Sequence, residues 1–178
     1  MLAIPPRDPV PDVVLTACEA HLPGVSPVFV PIFPEGYCRE DACHENVSAK
    51  VSRDGGSQQY GWAVWEVPDW EVRLEFHSVW QSGKGNLIDV TPPAFPTTQI
   101  LFVPDPNRTF DGTSIGCFHH PYRDEADCLE AIKILQDIDR LIFPPGLPPN
   151  HDRANSDKEI RRLTPRLKEL VRQRRRAN

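Results

Sequence analysis

The sequence of 178 residues has no long hydrophobic run, and each of its purely apolar stretches is only a few residues long. A helix that crosses a bilayer needs roughly 20 consecutive apolar residues, so the sequence predicts no membrane-spanning segment. The first seven residues, MLAIPPR, also lack the charged region and the apolar region of a secretory signal peptide. We therefore expect a cytoplasmic protein that has no membrane partner.

Cysteine is too scarce for a disulfide framework. The chain has an odd number of cysteines spread over a mid-sized sequence: Cys18, Cys38, Cys43, Cys117 and Cys128. Disulfide-rich domains are shorter, secreted and have an even number of cysteines. We therefore expect reduced thiols, in agreement with a cytoplasmic location.

Glycine-rich loops are also absent. No segment has the Walker or the Rossmann spacing of glycines that holds a phosphate group. The sequence thus gives no sign of a nucleotide, and we expect no cofactor and no bound metal.

Proline, in contrast, is abundant, with 20 residues, roughly double the ordinary usage. The length predicts about one domain, and the prolines predict stiff connections. We assign residues 1–143 to a single domain, residues 144–157 to a proline-rich linker, and residues 158–178 to a basic helix or tail.

This tail is basic, whereas the whole chain has a net charge of −5. Residues 158–178 contain nine Lys and Arg but only two Glu. Such a segment either binds nucleic acid or an acidic partner, folds back on the acidic body, or forms a solvated helix end. No aromatic residue is interleaved with the arginines to stack on bases.

Hydrophobic periodicity predicts an α+β fold. A helix that begins near Cys43, after Asp41 as its cap, packs on an antiparallel β-meander, and further helices follow at the C-terminal end. The predicted helices cover residues 12–22, 42–53 and 125–143, and the predicted strands cover 28–33, 60–67, 71–80, 87–90 and 99–103.

Cys43 has the best position for chemistry among the cysteines. The N-terminus of a helix offers unpaired N–H groups and about half a positive charge, which favour a thiolate. A free thiol with a pKa near 8.5 is only about 3% ionised at pH 7. A helix N-terminus and a nearby imidazolium are two common means of lowering this pKa.

His77 and Asp89 lie on consecutive predicted strands. If residues 81–85 form the hairpin loop, Trp80 pairs with Asn86 and His77 lies directly opposite Asp89. Their Cβ atoms would then be about 5 Å apart on one face of the sheet. In that register Asp89 can orient the imidazole, and His77 can act as the base for Cys43.

The order of these residues resembles the papain-like fold in its transglutaminase-like form. The segments FHSVW at 76–80 and NLIDVTP at 86–92 look like the His and Asp strands of that superfamily. The resemblance covers about residues 36–103. It implies that Cys43 is the nucleophile, His77 the general base and acid, and Asp89 the orienting residue.

The resemblance further implies a cysteine-dependent hydrolase or acyltransferase that acts on an amide or thioester bond of a protein or peptide. Peptidase, deamidase and transglutaminase-like reactions differ only in the acceptor that reaches the acyl-enzyme. The setting of Cys43 lacks an upstream glutamine for an oxyanion hole, so the backbone N–H of Cys43 is the expected donor.

The alternative is a protein without catalytic activity. Cys43 on a helix with Val47 and Val51 is then a small core residue. A zinc site is a further alternative. Cys38, Cys43 and His44 have suitable ligand types, and Cys117, His119 and His120 would complete the site. Otherwise we expect His119 and His120 to lie in a plain loop.

Overall fold

The computed structural model describes residues 3–148 and 154–177. Their contacts divide the chain into two compact units. Unit 1 comprises Met1–Glu66 and Leu74–Phe110, and unit 2 comprises Val67–Arg73 and Asp111–Asn178. Residues 1–143, which the sequence predicts to be one domain, are thus divided, since the contacts assign residues from 111 onward, together with 67–73, to unit 2.

The described residues confirm the α+β fold. The elements are, in chain order, α1 Asp12–His21, β1 Val28–Pro31, α2 Cys43–Asp54, β2 Ser57–Val67, β3 Glu71–Gln81, β4 Leu87–Ile88, β5 Gln99–Pro104, β6 Phe118–Pro121, α3 Ala126–Ile142 and α4 Ala154–Ala177. Most bounds lie within two residues of the predicted ones because the apolar spacing changes clearly between helix and strand. Within the part of the chain that is described, no helix combines the length and the apolar character needed to cross a membrane.

The strand order in the sheet is β1-β5-β2-β3-β4, and the pairing is antiparallel. Strands β2, β3 and β4 form the expected meander. Strand β5, however, does not follow β4 at that edge, since it lies between β1 and β2. Its pairs include Phe29 with Leu101 on one side and Trp62 with Val103 on the other.

The two edges of this sheet meet at Asp89. Ile32, just after β1, forms a parallel bridge with Asp89, just after β4. The Asp89 N–H donates to the Pro31 carbonyl at 2.9 Å, and the Phe33 N–H donates to the Asp89 carbonyl at 2.8 Å. The strands of unit 1 therefore close on themselves around buried apolar side chains: Val30, Ile32, Ala63, Val79, Ile100 and Phe102.

Unit 2 consists of residues 67–73, strand β6 and helices α3 and α4. The prediction of a plain loop at His119 and His120 is wrong, because both residues belong to β6, which pairs with β3. The strand has only four residues and ends at Pro121, so its sequence carries little strand pattern.

The basic segment forms helix α4, which contacts α3. Arg166 makes a two-pronged ion pair with Glu130 at 2.7 and 2.8 Å, and Arg174 binds Asp127 at 2.7 Å. The helix begins at Ala154, so the last four residues assigned to the linker are helical, while 149–153 lie outside the described residues. Two arginines of the tail thus neutralise acidic residues of their own unit.

Candidate active site

Cys43 is the first residue of helix α2. The residue before it, Ala42, occupies the cap position and provides no side-chain hydrogen bond. The prediction that Asp41 caps this helix is wrong, because Asp41 has a left-handed backbone with φ of 56°. The N–H groups of the first helical turn therefore receive no cap from Ala42, and an anion at Cys43 is favoured there.

A buried asparagine fixes the segment that leads to Cys43. Asn46, which is 4% exposed, accepts a hydrogen bond from the Arg39 N–H at 3.0 Å and donates to the Arg39 carbonyl at 2.7 Å. Its amide also donates to the Thr91 hydroxyl at 3.3 Å. Asn46 thereby connects the loop before Cys43 to the segment that follows Asp89.

Replacing Asn46 with aspartate is expected to lower the free energy of unfolding by about 1–3 kcal/mol, since a buried donor is lost and the Arg39 carbonyl faces a carboxylate. Urea unfolding measures this change. Asn86→Asp, on the exposed hairpin loop, is the matched control and should leave the midpoint unchanged. Equal midpoints for both variants would show that Asn46 does not hold the loop.

His77 and Asp89 are paired in the structure. His77 Nε2 donates to Asp89 Oδ2 at 3.0 Å, with side chains 14% and 5% exposed. The other carboxylate oxygen, Oδ1, accepts the Thr91 N–H at 2.9 Å. Together with the backbone bridge to Ile32, these bonds hold the carboxylate in one orientation toward the imidazole.

The predicted register of this hairpin is wrong by two residues. Trp80 pairs with Ile88, not with Asn86, because the turn closes with the Ser82 N–H donating to the Asn86 carbonyl. A shift of two residues keeps every side chain on its original face, whereas a shift of one would reverse it. His77 and Asp89 therefore still meet, although not as directly opposed residues.

The third predicted residue, Cys43, lies close enough to the same imidazole for its thiol pKa to respond to it. Burial alone would raise the pKa of the Cys43 thiol. The charge of His77, with hydrogen bonds from His44 and His77, outweighs burial and lowers this pKa from 9.0 to about 6. Since Asp89 occupies His77 Nε2, the remaining ring nitrogen for the thiol is Nδ1.

His77 shows the complementary effect. Burial disfavours its charged form, but the Asp89 carboxylate and the Cys43 thiolate raise its pKa well above 6.5. Both shifts favour the same state, a thiolate on Cys43 beside an imidazolium on His77, held by the carboxylate of Asp89. Such a pair combines a nucleophile with a general acid and base.

His44 is a site residue for which the sequence analysis considered only a role as a zinc ligand. Its ring is stacked on Phe110 with centroids 4.2 Å apart, and Nδ1 lies 3.1 Å from the Ser78 hydroxyl. Gln58 donates to the same hydroxyl at 3.0 Å and to the His44 carbonyl at 3.2 Å. These contacts hold a second imidazole beside the thiol.

A cavity of about 460 Å³ lies next to this second imidazole. Its volume is within the usual range of small-ligand sites. Side chains from α2, β2 and the segment at Phe110 line the cavity, among them His44, Ser48, Gln58, Tyr60 and Phe110. Cys43 itself, His77 and Asp89 are not among its lining residues.

No protein-family model, no curated protein and no solved structure matches this chain. The chemical role of the residues around Cys43 thus depends on their geometry alone.

The zinc site predicted as an alternative does not form from the expected residues. In the described ranges, the one group of three possible ligands consists of Cys117, His119 and Asp139. Cys38, Cys43, His44 and His120 are not part of it. No sequence motif points to Asp139, which lies on helix α3, 22 residues after Cys117.

Proposed function

We propose that this protein is a cysteine-dependent enzyme that hydrolyses or transfers acyl groups from amide, ester or thioester bonds. The observation that carries the proposal is the His77 imidazole, which binds the buried Asp89 carboxylate at 3.0 Å and whose charge lowers the pKa of the Cys43 thiol to about 6. The order of nucleophile, histidine and aspartate along the chain agrees with the resemblance to papain-like and transglutaminase-like enzymes.

In the first half-reaction, the Cys43 thiolate attacks the carbonyl carbon, and the carbonyl π electrons move to the oxygen. The backbone N–H of Cys43, at the start of α2, is the proposed donor to this oxyanion. When the tetrahedral intermediate collapses, the bond to the leaving group breaks. The leaving group takes the proton of the His77 imidazolium, and an acyl-enzyme remains on sulfur.

In the second half-reaction, water or an amine approaches the thioester. His77, now neutral, accepts a proton from this acceptor as the acceptor attacks the carbonyl carbon. The bond between carbon and sulfur then breaks, and Cys43 leaves as a thiolate. Asp89 keeps the imidazole oriented through both steps and stabilises its charged form.

The cavity beside His44 is the proposed binding site for part of the substrate. It combines the aromatic rings of Tyr60 and Phe110 with the polar groups of Gln58 and Ser48. Such a lining suits a side chain or segment of a protein or peptide substrate. We also propose a cytoplasmic location, because none of the five cysteines, all of them within the described residues, forms a disulfide and a reduced thiol is required for the reaction.

The other partner that the sequence predicts, nucleic acid or an acidic protein bound by helix α4, stays a prediction. The ion pairs of Arg166 and Arg174 with acidic residues of unit 2 favour the alternative prediction, that the helix folds back on its own unit.

The activated ester p-nitrophenyl acetate tests the proposed acyl transfer without knowledge of the natural substrate. We expect a burst of p-nitrophenolate close to one equivalent per protein, followed by slower turnover. Peptide mapping by mass spectrometry should then locate the acetyl group on Cys43.

Cys38→Ala is the matched control, since Cys38 is also half-buried and lies before the same helix. It should retain the burst, whereas Cys43→Ala should lose it. Acetylation of Cys38 in preference to Cys43, or a burst that survives Cys43→Ala, would contradict the proposal.

A further inference from the structure

A second cluster of polar residues lies in unit 2, and the proposed acyl transfer makes no use of it. One possible ligand atom from each of Cys117, His119 and Asp139 lies within 4.8 Å of the other two. His119 is on β6 and its side chain is only 4% exposed, whereas Asp139 is on α3 and is 12% exposed. Thiolate, imidazole and carboxylate are all ligands of zinc in proteins.

The imidazole is oriented as in many metal sites. His119 Nδ1 donates to Glu71 Oε2 at 2.7 Å, and Glu71 is itself 3% exposed in its side chain. The other nitrogen, Nε2, is buried and has no hydrogen-bond partner among the described residues. Metal-binding histidines usually give their second N–H to a carboxylate, which fixes the ring and its tautomer.

The carboxylate of Asp139 is held through one of its oxygens, and the other oxygen faces His119. Asp139 Oδ2 accepts the Cys117 N–H at 2.9 Å, and Oδ1 lies 3.8 Å from His119 Nε2. That separation is too long for a hydrogen bond, but one ion at about 2.0–2.2 Å from each atom can still bind both, with an angle at the ion somewhat wider than tetrahedral. Gly116 permits this approach, because a Cβ there would lie 2.4 Å from Asp139 Oδ2.

We propose that Cys117, His119 and Asp139 form a binding site for a divalent transition metal, with zinc as the best fit. His119 would bind through Nε2, Asp139 through Oδ1 and Cys117 through its thiolate sulfur. Glu71 would hold the histidine from the second nitrogen. Three protein ligands leave one tetrahedral position for water or for a ligand from another molecule, as in catalytic zinc sites.

The competing account is that a proton takes the place of the metal. His119 would then be an imidazolium between the carboxylates of Glu71 and Asp139, and the sulfur of Cys117 would bind no metal. The two accounts differ in whether the sulfur of Cys117 binds an added metal.

Titration of the chelator-treated full-length protein with Co²⁺ separates the two accounts. We expect a thiolate-to-cobalt charge-transfer band in the near ultraviolet that saturates at one equivalent and is abolished by Zn²⁺. Cys117→Ser should lose the band, whereas Cys38→Ser and Cys43→Ala should keep it. Glu71→Gln should weaken zinc binding by about 10- to 100-fold, measured by competition with a chelating dye.

Asp139→Asn provides a second test at a partly exposed position and should also weaken zinc binding at least about 10-fold. Failure of the wild-type protein to give a saturable band would overturn the metal site, as would a band that survives Cys117→Ser. Either result leaves the proposed reaction at Cys43 unaffected, because that reaction is followed by acetylation of Cys43 in the absence of metal.

Discussion

Replacing His77 with alanine is expected to move the pH at which Cys43 becomes reactive from about 6 toward the ordinary thiol value of 9.0. In the wild-type protein the histidine charge lowers the thiol pKa to about 6 against the effect of burial. Without that charge, burial raises the pKa and only the weaker influence of His44 opposes it, so the pKa should rise toward 9.0. Peptide-mapped alkylation by iodoacetamide between pH 5 and 10 measures the change.

The size of the effect depends strongly on pH. Lowering a thiol pKa by three units increases the thiolate fraction but decreases the nucleophilicity of each thiolate, with a Brønsted slope near 0.4–0.5. Together these opposing effects give the wild-type protein an advantage of about 40-fold at pH 5 but only about 4-fold at pH 7. The inflection in the pH profile is therefore more informative than a single rate at neutral pH.

His44 provides the comparison variant for this experiment. It also lowers the pKa of Cys43, but its charge has a smaller effect than that of His77. His44→Ala should therefore raise the inflection by less than His77→Ala does. If His44→Ala produced the larger shift, the base assigned to Cys43 would be the wrong histidine.

The second large effect is a loss of turnover when His77 or Asp89 is replaced. We expect the losses of the two single variants not to multiply in the double variant. With p-nitrophenyl acetate, His77→Ala should reduce the steady rate by at least about 10³-fold, and Asp89→Asn by at least about 10²-fold. Because Asp89 acts only through the imidazole, the double variant should be no slower than His77→Ala alone. Independent contributions would instead multiply to about 10⁵-fold.

Glu75→Gln is the matched control for both single variants, since Glu75 is an exposed carboxylate on the same strand β3. It should turn over at the wild-type rate. Asp89→Asn retains an oxygen that can accept the Thr91 N–H, so its thermal unfolding curve should stay close to that of the wild-type protein. A multiplicative loss in the double variant would show that Asp89 does not act through His77.

Local sequence pattern accounts for most of the fold. The two-residue alternation of β3 and the four-residue spacing of Cys43, Val47 and Val51 are set by which face is buried, so both elements were predicted close to their observed ends. The position of β5 between β1 and β2 depends on contacts between distant segments, which local pattern does not contain. Strand β6 is too short to show a pattern at all.

The candidate site could likewise be predicted from the sequence only in part. His77 and Asp89 were predicted on one face because a register shift of two residues keeps the alternation. The contacts of His44 with Ser78 and Phe110 arise only after the helix packs on β3, so no local sequence pattern indicates them. The same holds for Asn46, whose sequence setting is that of an ordinary helical residue although its side chain binds both Arg39 and Thr91.

The most direct test of the account is an ultraviolet titration of the Cys43 thiolate in the unmodified protein. The absorbance of the wild-type protein minus that of Cys43→Ala isolates this single thiol from the other four. The account predicts that one thiolate appears with a midpoint near pH 6. A midpoint at or above pH 9 would contradict the thiolate–imidazolium pair and with it the proposed enzyme.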